Sequence, residues 1–215
     1  MSSASEIDME IQRIDTYDDP RFPQTALLQH GAFLADGDPA WIEIVSDSEA
    51  VVHGQCCPQL LDEFRFYAEH ITAFFDEQGA LAAQFPKVEL FDVELSRIQP
   101  TQFYVDEEKL RAVQSFVHSG RDVIVPLTEF KGRYVSLDGH TRLYAALRLG
   151  AKTVRGFLTQ ADEVLFDCVR EAQSHGVHTP MDLQLFTHEE YCTKWHAFCD
   201  EFLAEREQCT HQPQT

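Results

Sequence analysis

Five consecutive residues, Asp138-Gly139-His140-Thr141-Arg142, have the types and spacing to do chemistry. They follow the apolar run Tyr134-Val135-Ser136-Leu137 and precede a segment with Leu143, Ala146 and Leu147 on one helical face, which places them at a strand-to-helix junction. At such a junction the first backbone N–H groups lack intrahelical partners and the helix dipole presents its positive end, so an anion is favoured there. Arg142 adds a guanidinium, and Gly139 lets the backbone approach a ligand closely. Asp138 can hold a divalent metal or cap the helix. His140 can face the ligand or be a satisfied core histidine.

Charge singles out the same region. The 215 residues carry 17 Lys and Arg against 36 Asp and Glu, a net charge of −19. Yet Lys131, Arg133, Arg142, Arg148, Lys152 and Arg155 stand in one window with a single acid, Asp138. A positive spot on an acidic body suits a small anion and repels the flanks of a long polyanion, so DNA binding is disfavoured, as is binding to an anionic membrane. Solvated bases around a surface helix are the alternative reading of the window.

The elements that must position this stretch can be read from periodicity. An α+β chain is expected, in three segments. Residues 1–87 form a Pro-punctuated arm, a β-meander (31–34, 40–45 and 50–52, with turns at 36–39 and 46–49) and an amphipathic helix. That helix is read from Leu60, Leu61, Phe64, Tyr67, Ala68, Ile71, Phe74 and Phe75, with no Gly or Pro before Gly79. Residues 88–158 form the core: an apolar run 88–95, a strand exit at 98–102, a helix opened by Asp106, Glu107 and Glu108 and closed by Ser119-Gly120, strands at 123–127 and 133–137, a helix ended by Gly150, and a strand at 153–158. Residues 159–215 form helices at 161–174 and 187–207, the second carrying Tyr191, Trp195, Phe198 and Phe202 at helical spacing, to pack on the body or on a second copy. The last eight residues are expected to fray.

Ile98-Gln99-Pro100-Thr101-Gln102, Val123-Ile124-Val125-Pro126-Leu127 and the run from Val135 through Asp138-Gly139-His140-Thr141-Arg142 to Gly150 resemble, in order and spacing, the ParB/sulfiredoxin superfamily. The resemblance covers residues 88–158 and implies a mixed-sheet core. It also implies that a G-x-x-R motif, here Gly139, His140, Thr141 and Arg142, binds nucleotide phosphates. Sulfiredoxins place a nucleophilic cysteine after that glycine, where this chain has His140. Partition proteins of the superfamily use CTP and continue into a basic DNA-binding domain, whereas the C-terminal part here is acidic. The motif is most similar to the D-G-H-H-R segment of the free-serine kinases of this fold. That similarity implies Asp138 and His140 at the phosphates and Mg²⁺, with ATP, ADP or CTP as nucleotide and a small molecule as acceptor. A glutamate serves those kinases as general base in an I-x-P-H-E turn; Gln102 stands in its place, and an amide cannot accept a proton at neutral pH. Gln102 is therefore expected to orient an acceptor, with Asp106, Glu107 and Glu108 as alternative bases. A non-catalytic regulatory or assembly protein keeping the fold is the competing expectation, and a homo-oligomer is compatible with either.

Six cysteines at 56, 57, 168, 192, 199 and 209 form no C-x-x-C pair, and the polar, acidic first ten residues do not read as a secretory leader. Free thiols in a cytoplasmic protein are expected. No apolar stretch approaches the roughly 20 residues of a membrane span. His175, His178 and His188 read as surface-loop residues rather than zinc ligands.

Overall fold

The computed structural model describes residues 9–66 and 68–210, and of Leu203 and residues 205–210 the backbone alone. The chain is α+β with mixed sheets and divides into two compact units. One runs to Phe91 and includes Gly156–Leu158; the other comprises Asp92–Arg155 and the chain from Thr159 onward.

The first unit is built on a six-stranded sheet in sequence order: β1 (Ile11–Arg13), β2 (Ala32–Ala35), β3 (Asp38–Ile44), β4 (Glu49–His53), β5 (Ala73–Phe75) and β6 (Leu81–Gln84). Neighbours are antiparallel except β4 and β5, which run parallel. The short helix α1 (Gln24–Leu28) lies in the N-terminal arm, and α2 (Pro58–Arg65) provides the crossover between the parallel pair. Alternation along β3 and β4 turns Ala40, Ile42, Ala50 and Val52 inward, where Leu60, Leu61 and Phe64 of α2 close over them. The expected meander is present, extended by β1, β5 and β6.

The helix expected through Phe75 stops at Arg65. The Arg65 guanidinium donates to the carbonyls of Ile71 and Glu69 and stacks on Phe85 at 3.7 Å, turning the chain back. Residues 73–75 then pair with residues 49–51 of β4 as a strand. Ala68, Ile71 and Phe74 reach the core all the same, so their helix-like spacing reflects burial rather than helical conformation. Tyr67, part of that expected helix, lies outside the described residues, as does the tail 211–215.

The second unit contains most of a five-stranded mixed sheet whose order is β7 (Phe91–Glu94), β12 (Thr153–Leu158), β10 (Ile124–Phe130), β11 (Arg133–Ser136) and β8 (Ile98–Pro100). The β10–β11 hairpin closes through Lys131 and Gly132, both at positive φ (52° and 77°), as a two-residue turn between twisted strands requires. A separate parallel pair joins β9 (Tyr104–Asp106) to β13 (Gln184–Phe186). The helices are α3 (Glu107–Gln114), α4 (His140–Arg148), α5 (Glu163–Ser174), α6 (His188–Tyr191), continued through a π-helical turn at Cys192–His196, and α7 (Ala197–Thr210). The helix opened by Asp106 thus ends at Gln114, before Ser119-Gly120.

The aromatic C-terminal helix packs on its own chain. Phe103, 1% exposed, meets Trp195 and Phe198 edge-on at 4.9 and 4.8 Å and stacks on His175 at 4.1 Å. His175 is therefore an aromatic packing partner. Among the described residues no helix is long and apolar enough to cross a membrane, and Cys56, Cys57, Cys168, Cys192 and Cys199 are free thiols.

Candidate functional site

Strands β8 and β11 run parallel, with Pro100 opposite Ser136, so the turns that leave them emerge at the same edge of the sheet. Carboxyl ends of parallel strands are where ligands of open α/β sheets gather. One turn carries Thr101 and Gln102; the other carries Leu137, Asp138 and Gly139 and leads directly into α4.

Gly139 is the N-cap of α4 in the left-handed conformation (φ 81°, ψ 20°), and no side chain caps this helix. A Cβ there would lie 2.6 Å from Val125 Cγ1 and 3.1 Å from an Arg142 guanidinium nitrogen. Glycine is thus required both for the backbone twist and for the close approach of the arginine. Arg142 reaches back across the turn, donating to the Ile124 carbonyl at 2.8 Å and to Asp138 Oδ2 at 3.0 Å. Its side chain is 21% exposed and that of Asp138 43%. The result is a half-open turn edged by a guanidinium, a carboxylate and the amide end of a helix, while Thr141 on the first turn of α4 is partly exposed.

His140 takes a different position from the one its motif implies. Its ring is buried, and Nε2 accepts the backbone N–H of Thr101 at 3.1 Å. The Thr101 hydroxyl, also 3.1 Å from that nitrogen, lies 3.0 Å from the Ser136 carbonyl and can donate to it. Burial drives the imidazole pKa down to about 4; Asp138 opposes this and Arg142 reinforces it. His140 is therefore neutral at pH 7, its proton is on Nδ1, and its lone pair is committed to the protein. It clamps the β8 exit turn to the start of α4.

Gln102 donates through Nε2 to the Tyr104 carbonyl at 2.7 Å and to the Tyr191 hydroxyl at 2.8 Å. Burial pushes the Tyr191 hydroxyl pKa up despite that bond, so it stays protonated. The alternative bases are engaged too. Asp106 caps α3 and binds His188, and Glu107 and Glu108 pair with Arg111 on the solvent side of α3.

Two residues of the turn at 98–102 support the site in roles the sequence does not assign them. Buried Gln99 donates to the carbonyls of Pro100 and Val177 and accepts from Gln173, tying β8 to the end of α5 with every amide group used. Thr101 is the other, bonded to a histidine 39 residues away.

The residues around Asp138 can be tested for metal binding by their donor set. No group of three or more His, Cys, Asp or Glu side chains that could hold a metal exists among the described residues. A single half-exposed carboxylate fits Mg²⁺ delivered on phosphates, because that ion keeps several waters and uses one or two carboxylates beside phosphate oxygens.

No protein-family model and no curated protein matches the chain. Among solved structures, protein Atu1540 from Agrobacterium tumefaciens is similar over 46% of this chain at 17% identity, with a TM-score of 0.34. The chain spans 63% of the length of that structure. Sulfiredoxin from Arabidopsis thaliana is similar over 38% of this chain and 97% of its own, at 19% identity and a TM-score of 0.30.

Proposed function

We propose that the turn at residues 138–142 binds the phosphates of a nucleotide carried with Mg²⁺, on a core of the ParB/sulfiredoxin type. The observation that carries this reading is the left-handed Gly139, which opens the uncapped amide end of α4 directly beside the Arg142 guanidinium. Two independent sources of positive potential, aligned N–H groups and a fixed planar cation, then converge on one small volume. Arg142, which bonds Asp138 here, would hold a phosphate oxygen, and Asp138 would hold Mg²⁺, which would supply neutralisation of phosphate charge. Thr141 supplies a hydroxyl on the same turn. His140 acts as a positioning residue through Thr101.

Phosphoryl transfer to a small hydroxyl acceptor is the finer form of this reading. It meets an obstacle in Gln102, whose amide is bonded to Tyr104 and Tyr191 and cannot serve as a base. That observation favours a second form, in which the protein binds a nucleotide and signals its presence without turnover.

Calorimetric titration with ATP, ADP and CTP in the presence of Mg²⁺ tests the reading. Arg142→Ala is expected to weaken binding by about 10- to 100-fold, the worth of a charge-assisted hydrogen bond at about 1.5–3 kcal/mol. Arg142→Lys is expected to restore part of it. Equal affinity in wild type and Arg142→Ala, or no binding of any nucleotide, contradicts the proposal. Release of ADP or phosphate in the presence of hydroxyl acceptors separates the two forms.

A further inference from the structure

Of the six bases between Lys131 and Arg155, the phosphate turn uses Arg142 alone. Three others are spent elsewhere. Lys131 lies over the ring of Phe130, Arg133 donates to the carbonyls of Ser96 and His178, and Arg155 donates to the carbonyl of Arg121 at 2.6 Å. Arg148 and Lys152 remain, and the fold adds a third cation to them. A Cβ on Gly120 would lie 2.9 Å from Ala151 Cβ and 2.3 Å from the Thr153 carbonyl oxygen, so the turn that carries Arg121 is seated against the chain leaving α4. Arg121, Arg148 and Lys152 thus gather at the C-terminal end of α4. That helix has 9 residues, which puts the cluster ~13 Å along its axis from the Gly139 turn.

All three cations are exposed, and none of their side chains forms an ion pair among the described residues. This is unusual in a chain with 36 Asp and Glu against 17 Lys and Arg. The acids beside them are occupied: Asp122 accepts from the N–H groups of His118 and Ser119 and from the Ser119 hydroxyl, and Glu94 accepts from the Ser96 hydroxyl. Arg148 complements the helix dipole, but Arg121 and Lys152 come from outside the helix. Leu149, next to Arg148, is 51% exposed.

We propose that this surface docks a short acidic peptide segment of a partner protein, with its carboxylates on Arg121, Arg148 and Lys152 and an apolar side chain on Leu149.

Charge complementarity selects the occupant. A compact phosphate is disfavoured here, because the N–H groups of Leu149, Gly150 and Ala151 all bond back to helix carbonyls and the dipole presents its negative end. Only side chains can donate, and they are spread along the surface as carboxylates are spread along a peptide. A long polyanion or a second copy brings further negative charge against the rest of a chain of −19, whereas a short segment meets the basic patch alone. The exposed leucine among the cations adds an apolar contact that a nucleic-acid backbone does not use.

The test is a fluorescence-anisotropy titration of the full chain into a fluorescein-labelled twelve-residue peptide of Glu-Leu-Asp repeats. Saturable binding that weakens with added salt is expected. Arg121→Glu, Arg148→Glu and Lys152→Glu are each expected to weaken it about five- to tenfold, since each removes one attraction and adds a repulsion, with the circular dichroism spectrum unchanged. Leu149→Ser is expected to weaken it about threefold. Lys131→Glu, which makes the same change in net charge at the β10–β11 hairpin, is expected to leave the affinity within about twofold. No saturable binding overturns the proposal, as does an equal loss in Lys131→Glu and Arg148→Glu. Tighter binding of a twelve-nucleotide oligothymidylate, or a wild-type dimer that Arg148→Glu dissociates, assigns the surface to a different occupant and also overturns it.

Discussion

Gly139→Ala is expected to destabilise the protein by about 2–6 kcal/mol and to disturb the 138–142 turn. The first contribution is conformational: at φ 81° an L-residue with a Cβ is strained by about 1–3 kcal/mol. The second is steric. The new carbon would sit 2.6 Å from Val125 Cγ1 and within 3.2 Å of two guanidinium nitrogens of Arg142. Val125 is fully buried in β10, so it cannot swing aside, and overpacking of this kind costs about 1–3 kcal/mol. Arg142 can move, but only by giving up its bonds to Ile124 and Asp138. Urea denaturation followed by circular dichroism measures the loss. A change below about 1 kcal/mol would mean that the turn is not held in the left-handed conformation.

The second large effect is a pH dependence. His140 has a folded-state pKa of about 4, against an ordinary value of 6.5. Between these values the unfolded chain binds more protons than the folded one at this site, so stability rises with pH. The contribution is fully present above pH 6.5 and is lost as pH falls towards 4, amounting to about 3 kcal/mol. His140→Gln keeps an acceptor for the Thr101 N–H but does not titrate. Stability measured from pH 7 to pH 4.5 is therefore expected to fall more steeply in the wild type than in His140→Gln. His188, whose pKa is raised, pulls in the opposite direction in both proteins and cancels in the comparison. Parallel curves would show that His140 does not resist protonation and that its bond to Thr101 is not made.

Local signals carried much of this architecture. The β2–β4 meander and α3 to α5 follow from short-range information: turn residues, alternation, an acidic helix start and Gly150 after α4. The helix through Phe75 misled because Ala68, Ile71 and Phe74 are buried at a spacing that suits a helix, while Arg65, by bonding the Ile71 carbonyl, ends it. β1 and β13 are three residues long and exist through partners further along the chain, β2 and β9, so no period announces them.

The site divides in the same way. Gly139 and Arg142 were legible because a glycine before a helix and an arginine one turn inside it interact locally. The place of His140 depends on Thr101 and that of Gln102 on Tyr191, 89 residues away. The contact of Asp106 with His188 joins residues 82 apart.

The most direct test of phosphate binding at the Gly139 turn is an amide NMR titration of the isotope-labelled protein with Mg²⁺ and ATP, ADP or CTP. The expected result is a saturable shift concentrated on the N–H resonances of Gly139, His140, Thr141 and Arg142, with the Arg142 side-chain Nε–H moving in step. Saturable shifts confined to other elements, or none in this turn with any of the three nucleotides, would contradict the assignment of the phosphate site.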